Sequence, residues 1–129
     1  MTLLLADVDS PVITNFAADV DAFYEPPAGG GVCEGSPRMA TFTATIFDSS
    51  GVRGADLHWR ITVIGVETTG IAKMLLVDGV WTVDLSAPPG ILLDGNSATI
   101  YSRIRARDDF GHFSESGEIG LTLLPCQRL

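Results

Sequence analysis

Hydrophobic and polar residues alternate with a period of two along most of this chain. In residues 40–48, ATFTATIFD, apolar side chains occupy every second position and threonines lie between them. Because successive side chains of a β-strand point to opposite faces, this pattern predicts a strand with one buried and one solvated face. Similar alternation predicts strands at residues 57–65, 80–85, 97–108 and 119–123, and shorter ones near residues 11–18 and 71–77. No segment shows a helical period.

Turn signals separate these segments. Aspartate with glycine, or proline with glycine, occurs at residues 48–51, 78–79, 87–90, 94–96 and 108–111. Aspartate favours the first position of a type I turn and glycine the last, so each signal predicts a reversal of the chain. About seven short strands separated in this way predict an all-β fold, an antiparallel two-sheet sandwich. We expect one domain over residues 11–126, with residues 1–10 as a linker and residues 127–129 as a tail.

Composition narrows the class of protein. The chain has 129 residues, enough for one two-layer core, and its 16 acidic and 8 basic side chains give a net charge of −8. An acidic surface repels phosphate backbones, so nucleic-acid binding is not expected. No apolar run is long enough to cross a bilayer, and the LLL run at residues 3–5 has neither the basic flank nor the apolar length of a signal peptide. We interpret the chain as a piece of a longer polypeptide, so any export signal would lie outside it.

Three segments together carry a family resemblance. They are TATIFDSSGVRGADLHWRI at residues 43–61, VDGVWTVDL at residues 77–85 and IRARDDFGHFSES at residues 104–116. They resemble bacterial immunoglobulin-like and fibronectin type III-like domains, which commonly show an Asp-x-x-Gly-Val turn, a Gly-x-Trp hairpin and an Ala-x-Asp-x-x-Gly-Asn turn. The resemblance implies an immunoglobulin-like sandwich in an exported bacterial protein. Two positions depart from it: His112 replaces the turn asparagine, and Ser102 stands where antibody-type domains have their second core cysteine.

The two cysteines, Cys33 and Cys126, match no zinc-binding spacing. The topology implied by the resemblance places Cys33 before the second strand and Cys126 after the last strand, at the same end of the sandwich. A disulfide between them is therefore expected, with two buried free thiols as the alternative. In the chain-entropy model, closing a loop of roughly a hundred residues stabilises a fold by about 4–5 kcal/mol. Because a reducing cytosol does not maintain disulfides, the link favours an extracellular or cell-surface location.

A basic face is predicted on the sixth strand and on its expected neighbour, the third strand. Alternation places the following side chains on the outer surface: His58, Arg60, Tyr101, Arg103, Arg105 and Arg107. One hypothesis is a binding face for an anionic glycan, a peptide carboxylate or a partner domain. The other is a solvated sheet face on which the arginines pair with acids such as Asp56, Asp84 or Glu118. The second is favoured because surface ion pairs are common and contribute little.

Aspartates form a second constellation, at the end of the sandwich opposite the cysteines. The predicted turns bring together Asp48, Asp78, Asp108 and Asp109, joined by Asp7 and Asp9 from the entering segment. Calcium takes about six to eight oxygen ligands, so loops that meet at one end are a candidate calcium site. An aspartate in a turn is also explained by its hydrogen bonds to local backbone amides, and the spacing matches no EF-hand loop. We therefore expect no cofactor, with calcium as the alternative.

The sequence contains no recognisable catalytic motif. Trp59 and Trp81 fall in the inward register, which favours core packing over sugar binding. A triad of Ser114, His112 and Asp108 can be drawn, but their placement in one turn gives no reason for the required geometry. The protein is not expected to be an enzyme.

Together these observations predict a non-catalytic extracellular spacer, adhesion or interaction domain of a larger exported bacterial protein. Expected partners are protein domains of the same or another chain, or a cell-surface glycan. Neither nucleic acid nor membrane insertion by this chain is expected. The alternatives are a carbohydrate- or calcium-binding module and an accessory domain of a secreted enzyme. Fold alone does not decide among them, because this architecture hosts many roles.

Overall fold

The structure is a computed structural model that describes residues 9–30 and 33–128. Within these residues the chain forms a short 3-10 turn, Ala28–Gly30, and twelve strands: β1 (Val12–Ala18), β2 (Ala22–Tyr24), β3 (Cys33–Glu34), β4 (Ala40–Phe47), β5 (Val52–Val63), β6 (Val66–Lys73), β7 (Leu75–Val77), β8 (Val80–Leu85), β9 (Ala98–Asp108), β10 (Phe113–Glu115), β11 (Ile119–Leu124) and β12 (Gln127–Arg128). Seven strands have six or more residues and five have two or three. The all-β prediction is confirmed. The LLL run and Asp7 lie outside the described residues.

The longer strands form two sheets that do not close into a barrel, as expected for a sandwich. The four-stranded sheet has the order β1-β4-β8-β7, and the six-stranded sheet has the order β2-β11-β9-β5-β6, with β10 beside β9. Every neighbouring pair among these strands is antiparallel except β2 and β11. Those two run parallel because β2 continues the direction of β1 after the chain has crossed to the other sheet. Strand β12, at residues expected to be a tail, pairs with β3 in a separate ribbon.

The core lies between the two sheets and follows the predicted alternation. In β4 the residues Ala40, Phe42 and Ala44 are buried, while the threonines between them face outward. Strands β5 and β9 supply the opposite wall, with Leu57 and Ile61 on one strand and their neighbours on the other, including Ile100 and Ile104, all nearly inaccessible to solvent. Each fully buried aliphatic or aromatic side chain of this kind contributes about 1.5–3 kcal/mol.

The two tryptophans of the sequence both belong to this interior. Trp81 is buried, and Trp59 is half-buried and packs against the edge of the core. Across the strand pair from Trp59 stands Gly70 on β6. A Cβ atom at Gly70 would lie 2.3 Å from Cζ2 of Trp59, so the indole ring occupies the space that any larger residue would need.

The two ends of the sandwich differ in the turns and connections that they carry. Three turns lie at the upper end: residues 48–51, 78–79 and 109–112. The long connection at residues 86–97 and the cysteine pair lie at the lower end. Strand β1 starts at the upper end, where Val12 pairs with Phe47, and β11 ends at the lower end. The first long strand of the described sandwich therefore begins at the upper end, and the last long strand ends at the lower end.

Candidate functional site

The disulfide predicted between Cys33 and Cys126 is present, with a Cα–Cα distance of 5.2 Å across 93 residues of sequence. A buried carboxylate, Glu25, supports it. Its Oε2 accepts a hydrogen bond from the backbone N–H of Cys126 at 3.2 Å, and its Oε1 accepts one from the N–H of Leu92 at 3.0 Å. Glu25 thus joins the disulfide to the long lower connection, and the side chain of Arg38 donates to the Cys33 carbonyl oxygen from the other side.

The predicted basic face is assembled by the pairing of β5 with β9. His58 stands opposite Arg103, and Arg60 stands opposite Tyr101. Further along β9, two exposed arginines, Arg105 and Arg107, continue the same face. All six predicted residues therefore lie on the outer surface of the six-stranded sheet, as alternation requires.

Carboxylates from the same sheet surface neutralise most of this face. Arg60 Nη2 lies 2.9 Å from Glu118 Oε1, Arg103 Nε lies 3.3 Å from Glu115 Oε2, and Arg107 Nη1 lies 3.2 Å from Asp56 Oδ2. Two of these acids were named in the ion-pair hypothesis, and the third, Glu115, was not. Asp84 was also named but lies on the other sheet, where it accepts a hydrogen bond from Thr41 Oγ1.

Aromatic rings lie against two guanidinium groups of this face. The guanidinium carbon of Arg60 lies 4.5 Å from the centre of the Tyr101 ring, and that of Arg105 lies 3.9 Å from the centre of the Phe113 ring. Both distances fall within the range of cation–π attraction. The hydrogen bond between Arg60 and Glu118 lowers the pKa of the Glu118 carboxyl and raises the pKa of the Arg60 guanidinium.

A shallow groove of about 340 Å³ crosses this face between β5 and β6. Its lining combines three predicted residues with polar and apolar neighbours on β6: His58, Arg60, Arg103, Glu67, Thr69 and Ile71, beside Trp59 and Gly70. Tyr101, Arg105 and Arg107 lie on the same sheet face but do not line the groove. The structure thus separates the predicted face into a groove with mixed charge and a ladder of paired arginines.

Two of the predicted calcium residues at the upper end, Asp108 and Asp48, are engaged in their own turns. Asp108 is 1% exposed, and its Oδ1 accepts hydrogen bonds from the N–H groups of Phe110, at 2.8 Å, and His112, at 2.9 Å. His112 Nδ1 lies 3.0 Å from Asp108 Oδ2. Burial acts to raise the pKa of the Asp108 carboxyl, but these hydrogen bonds outweigh it, and the pKa lies below its usual value.

Asp48 caps the turn that joins β4 to β5. Its Oδ1 accepts hydrogen bonds from the N–H and the hydroxyl of Ser50, while its Oδ2 is buried without a hydrogen-bond partner in the described structure. Asp109 lies 3.8 Å from Arg53, and Asp78 has a positive φ of 50° in the tight β7–β8 turn. Among the residues that the structure describes, no three His, Cys, Asp or Glu side chains are grouped so that they would hold a metal ion.

The residues of the hypothetical triad have other contacts. His112 orients toward Asp108, as described, while the Ser114 hydroxyl donates a hydrogen bond to the carbonyl oxygen of Pro11. That bond ties β10 to the start of β1 and so joins the two sheets at the upper end.

Sequence reasoning missed a second surface, the outer face of the four-stranded sheet. One row of paired residues crosses all four strands: Ala17, Thr43, Thr82 and Leu75. Above it lie exposed apolar side chains: Val12, Phe47, Val77 and Val80. The signal was present in the outward threonines of β4 and in the apolar run of β7, but sequence reasoning did not consider these positions as one surface.

The fold and these surfaces define a disulfide-linked, two-sheet β-protein with one charged and one uncharged outer face. Comparison of the chain with protein-family models, with curated proteins and with solved structures finds no significant match. Within the described part of the chain there is no helix with the length and apolar character needed to cross a membrane.

Proposed function

We propose that this chain is an immunoglobulin-like, non-catalytic spacer and interaction domain of a larger exported bacterial protein. The two sheets hold its ends at a fixed distance, and its outer faces make the contacts. Strand β9, with residues 98–108, spans roughly 35 Å along the sandwich at about 3.3 Å per residue.

The strand order supports the immunoglobulin-like assignment. Immunoglobulin-like sandwiches carry strands A, B, E and D in one sheet and C, F and G in the other. Lettering β1, β4, β5, β7, β8, β9 and β11 as A to G in chain order reproduces both sets, and β6 takes the additional place beside C. The sequence resemblance, which rests on turns and hairpins of the same strands, points the same way.

The disulfide supports export. A link that closes a loop of 93 residues between Cys33 and Cys126 persists only where thiols are oxidised. Its place at the lower end, backed by the buried carboxylate of Glu25, is that of a structural crosslink.

The observation that carries the spacer proposal is the covalent path between the two ends. Pro11 enters at the upper end, and the path to the lower end runs only through residues 11–33 and then across the disulfide to Cys126. The loop between the cysteines, with most of the core, lies outside that path. A pull along the long axis therefore loads β1 in shear, perpendicular to its hydrogen bonds with β4, so that these bonds must break together.

Single-molecule force spectroscopy on the chain with handles at both termini tests this proposal. With the disulfide intact, the extension released should not exceed that of residues 11–33, about 75 Å at about 3.4 Å per residue. After reduction, or in the Cys33→Ser/Cys126→Ser variant, it should approach about 390 Å, for residues 11–126. Release of the longer length from the oxidised protein, or extension without a measurable force barrier, would contradict the spacer role.

A ligand-binding module is the second candidate, and the groove on the six-stranded sheet favours it. An acidic sugar or a peptide carboxylate placed there would meet His58 and Arg103 on one wall and Thr69 on the other. Calorimetric titration with uronic-acid oligosaccharides tests this candidate, with Arg103→Met as the variant that should lose binding and Arg38→Met, distant in the fold, as its control. Heat signals equal to those of dilution would count against it.

Calcium binding at the upper end is supported by one atom, the buried and unpaired Oδ2 of Asp48. A calcium-dependent rise in melting temperature that disappears in Asp48→Asn would establish it. An unchanged melting temperature at millimolar calcium would count against it.

A further inference from the structure

The outer face of the four-stranded sheet is almost free of charge. Among the residues of β1, β4, β8 and β7 the single ionisable side chain is Asp84, at the lower end of β8. Its carboxylate accepts a hydrogen bond from Thr41 Oγ1 at 2.7 Å. The other exposed positions of these strands are threonines, Asn15 and aliphatic or aromatic side chains, in a chain whose net charge is −8.

Several apolar side chains on this face remain largely exposed. Phe47 is 66% exposed, Leu75 61%, Val12 55% and Val77 51%. Two apolar pairs lie across neighbouring strands, Val12 with Phe47 on β1 and β4 and Val77 with Val80 on β7 and β8, and Leu75 is paired with Thr82. Exposed apolar side chains grouped on one face in this way mark a contact site.

We propose that this face is where two copies of the chain associate, with the two four-stranded sheets packed against each other about a two-fold axis. The inference rests on the proposed function as an interaction domain and names its partner. Sheets pack face to face at about 10 Å with their strands turned by about 30°, which suits two flat faces with small central residues such as Thr43 and Thr82. A two-fold axis brings the same patch from each copy together.

The low charge of this face favours a second copy over a strongly charged partner. Two chains of net charge −8 repel each other in most orientations, because acidic residues outnumber basic ones two to one. Contact through the outer face of the four-stranded sheet brings fewer charges together than contact through the six-stranded sheet, because Asp84 is the one ionisable residue of its four strands. A strongly charged partner, by contrast, would desolvate its own charges against threonines and valines without gaining an opposite charge.

The size of the face predicts a weak dimer. Strands β1, β4 and β8 have six to eight residues and β7 has three, so the face measures at most roughly 20 by 20 Å and packing two copies buries no more than about 1,000 Å² in total. This lies at the low end of specific interfaces, where transient complexes are found. A dissociation constant on the order of 100 μM is expected.

Sedimentation equilibrium of the oxidised protein between about 10 μM and 1 mM tests the inference. Thr82→Arg, near the centre of the face, should raise the dissociation constant at least about tenfold, since the two-fold axis brings two arginines together. The matched control is Thr62→Arg, an exposed strand threonine on the outer face of the six-stranded sheet, which should leave the constant unchanged. Thermal melting of both variants establishes that they are folded.

Salt separates this contact from one made by the basic face. Raising the NaCl concentration from about 50 mM to 500 mM screens the repulsion between the acidic chains and should strengthen the proposed dimer. A contact between the arginines of one copy and acids of another would weaken instead. A monomer at 1 mM, association that falls with salt, or equal effects of the two Thr→Arg variants would each overturn the inference. None of these outcomes bears on the force measurement, which tests the spacer role in a single molecule.

Discussion

The two outer faces of this sandwich differ in what their residues do. On the six-stranded sheet, Arg60, Arg103 and Arg107 each lie within 3.3 Å of a carboxylate from the same surface. On the four-stranded sheet, threonines and exposed apolar side chains occupy most of the outward positions, and Asp84 is the one ionisable residue of its strands. The arginines that stand out in the sequence are mostly paired with carboxylates of their own surface, whereas the strands of the four-stranded sheet have no cation with which Asp84 could pair.

The difference between the two faces shows that a row of like charges on a strand is not by itself a binding site. Alternation puts Arg103, Arg105 and Arg107 on one face, but the same alternation on neighbouring strands puts acids such as Asp56 beside them. A surface of charged side chains that satisfy one another gains little from a ligand, because the ligand must displace existing pairs. A surface of small uncharged side chains has no such pairs to lose.

The largest effect is expected when the disulfide at the lower end is removed. In Cys33→Ser/Cys126→Ser the free energy of unfolding should fall by about 3–5 kcal/mol. Because β11 and β2 lie at the edge of the six-stranded sheet nearest the bridge, their amides should lose hydrogen-exchange protection first, while β4 and β8 at the centre of the other sheet retain more. Denaturant unfolding and residue-resolved hydrogen exchange measure both effects.

Its control is Ser86→Ala, an exposed serine at the same lower end that should change the free energy of unfolding by less than about 0.5 kcal/mol. Equal loss of hydrogen-exchange protection in both sheets would contradict the expectation that removal of the disulfide affects the six-stranded sheet first.

A smaller effect is expected at the free edge of the six-stranded sheet. Gly70→Ala places a methyl group where Trp59 Cζ2 now lies, so the indole must move, and we expect a loss of about 1–3 kcal/mol in the free energy of unfolding. Gly117→Ala is the matched control, since its Cβ would meet no atom within 4 Å and its φ is not positive. Denaturant unfolding should find Gly117→Ala neutral or slightly stabilising. Equal losses in both variants would show that the contact with Trp59 is not responsible.

The sequence predicted the parts of this fold that depend on alternation. Residues 40–47 of the predicted segment 40–48 form a strand with buried alanines and Phe42, and the predicted neighbours β5 and β9 do pair. The parallel pair of β2 and β11 was not predicted because a strand of three residues carries no readable period. The partner of Arg103, Glu115, and the true place of Asp84 depend on which strands become neighbours, and alternation within one strand contains no such information.

Acid should act on the charged residues and leave the uncharged face unaffected. The pKa values of Asp108 and Glu118 are lowered in the folded state. Their contribution is therefore fully present above the unfolded values, about 3.9 and 4.3, and is lost as the pH falls through the lower folded values. The denaturant midpoint should decrease as the pH is lowered from about 5 to 2.5, and Glu118→Gln should make the decrease shallower. A midpoint that is constant or rises on acidification would contradict this assignment.

The smallest expected effect concerns one ion pair on the outer face of the six-stranded sheet. Arg107 and Asp56 form an ion pair at 3.2 Å with side chains 50% and 24% exposed. A double-mutant cycle with Arg107→Met and Asp56→Asn should give a coupling of about 0.2–1 kcal/mol, because water screens the attraction and ordering two side chains costs entropy. If the coupling exceeds this range, the arginine ladder is a stabilising network rather than a set of independent surface pairs, and the charged face would have a structural task. A small coupling, together with dimerisation that responds to Thr82→Arg, would instead leave the uncharged face as the surface through which this protein acts.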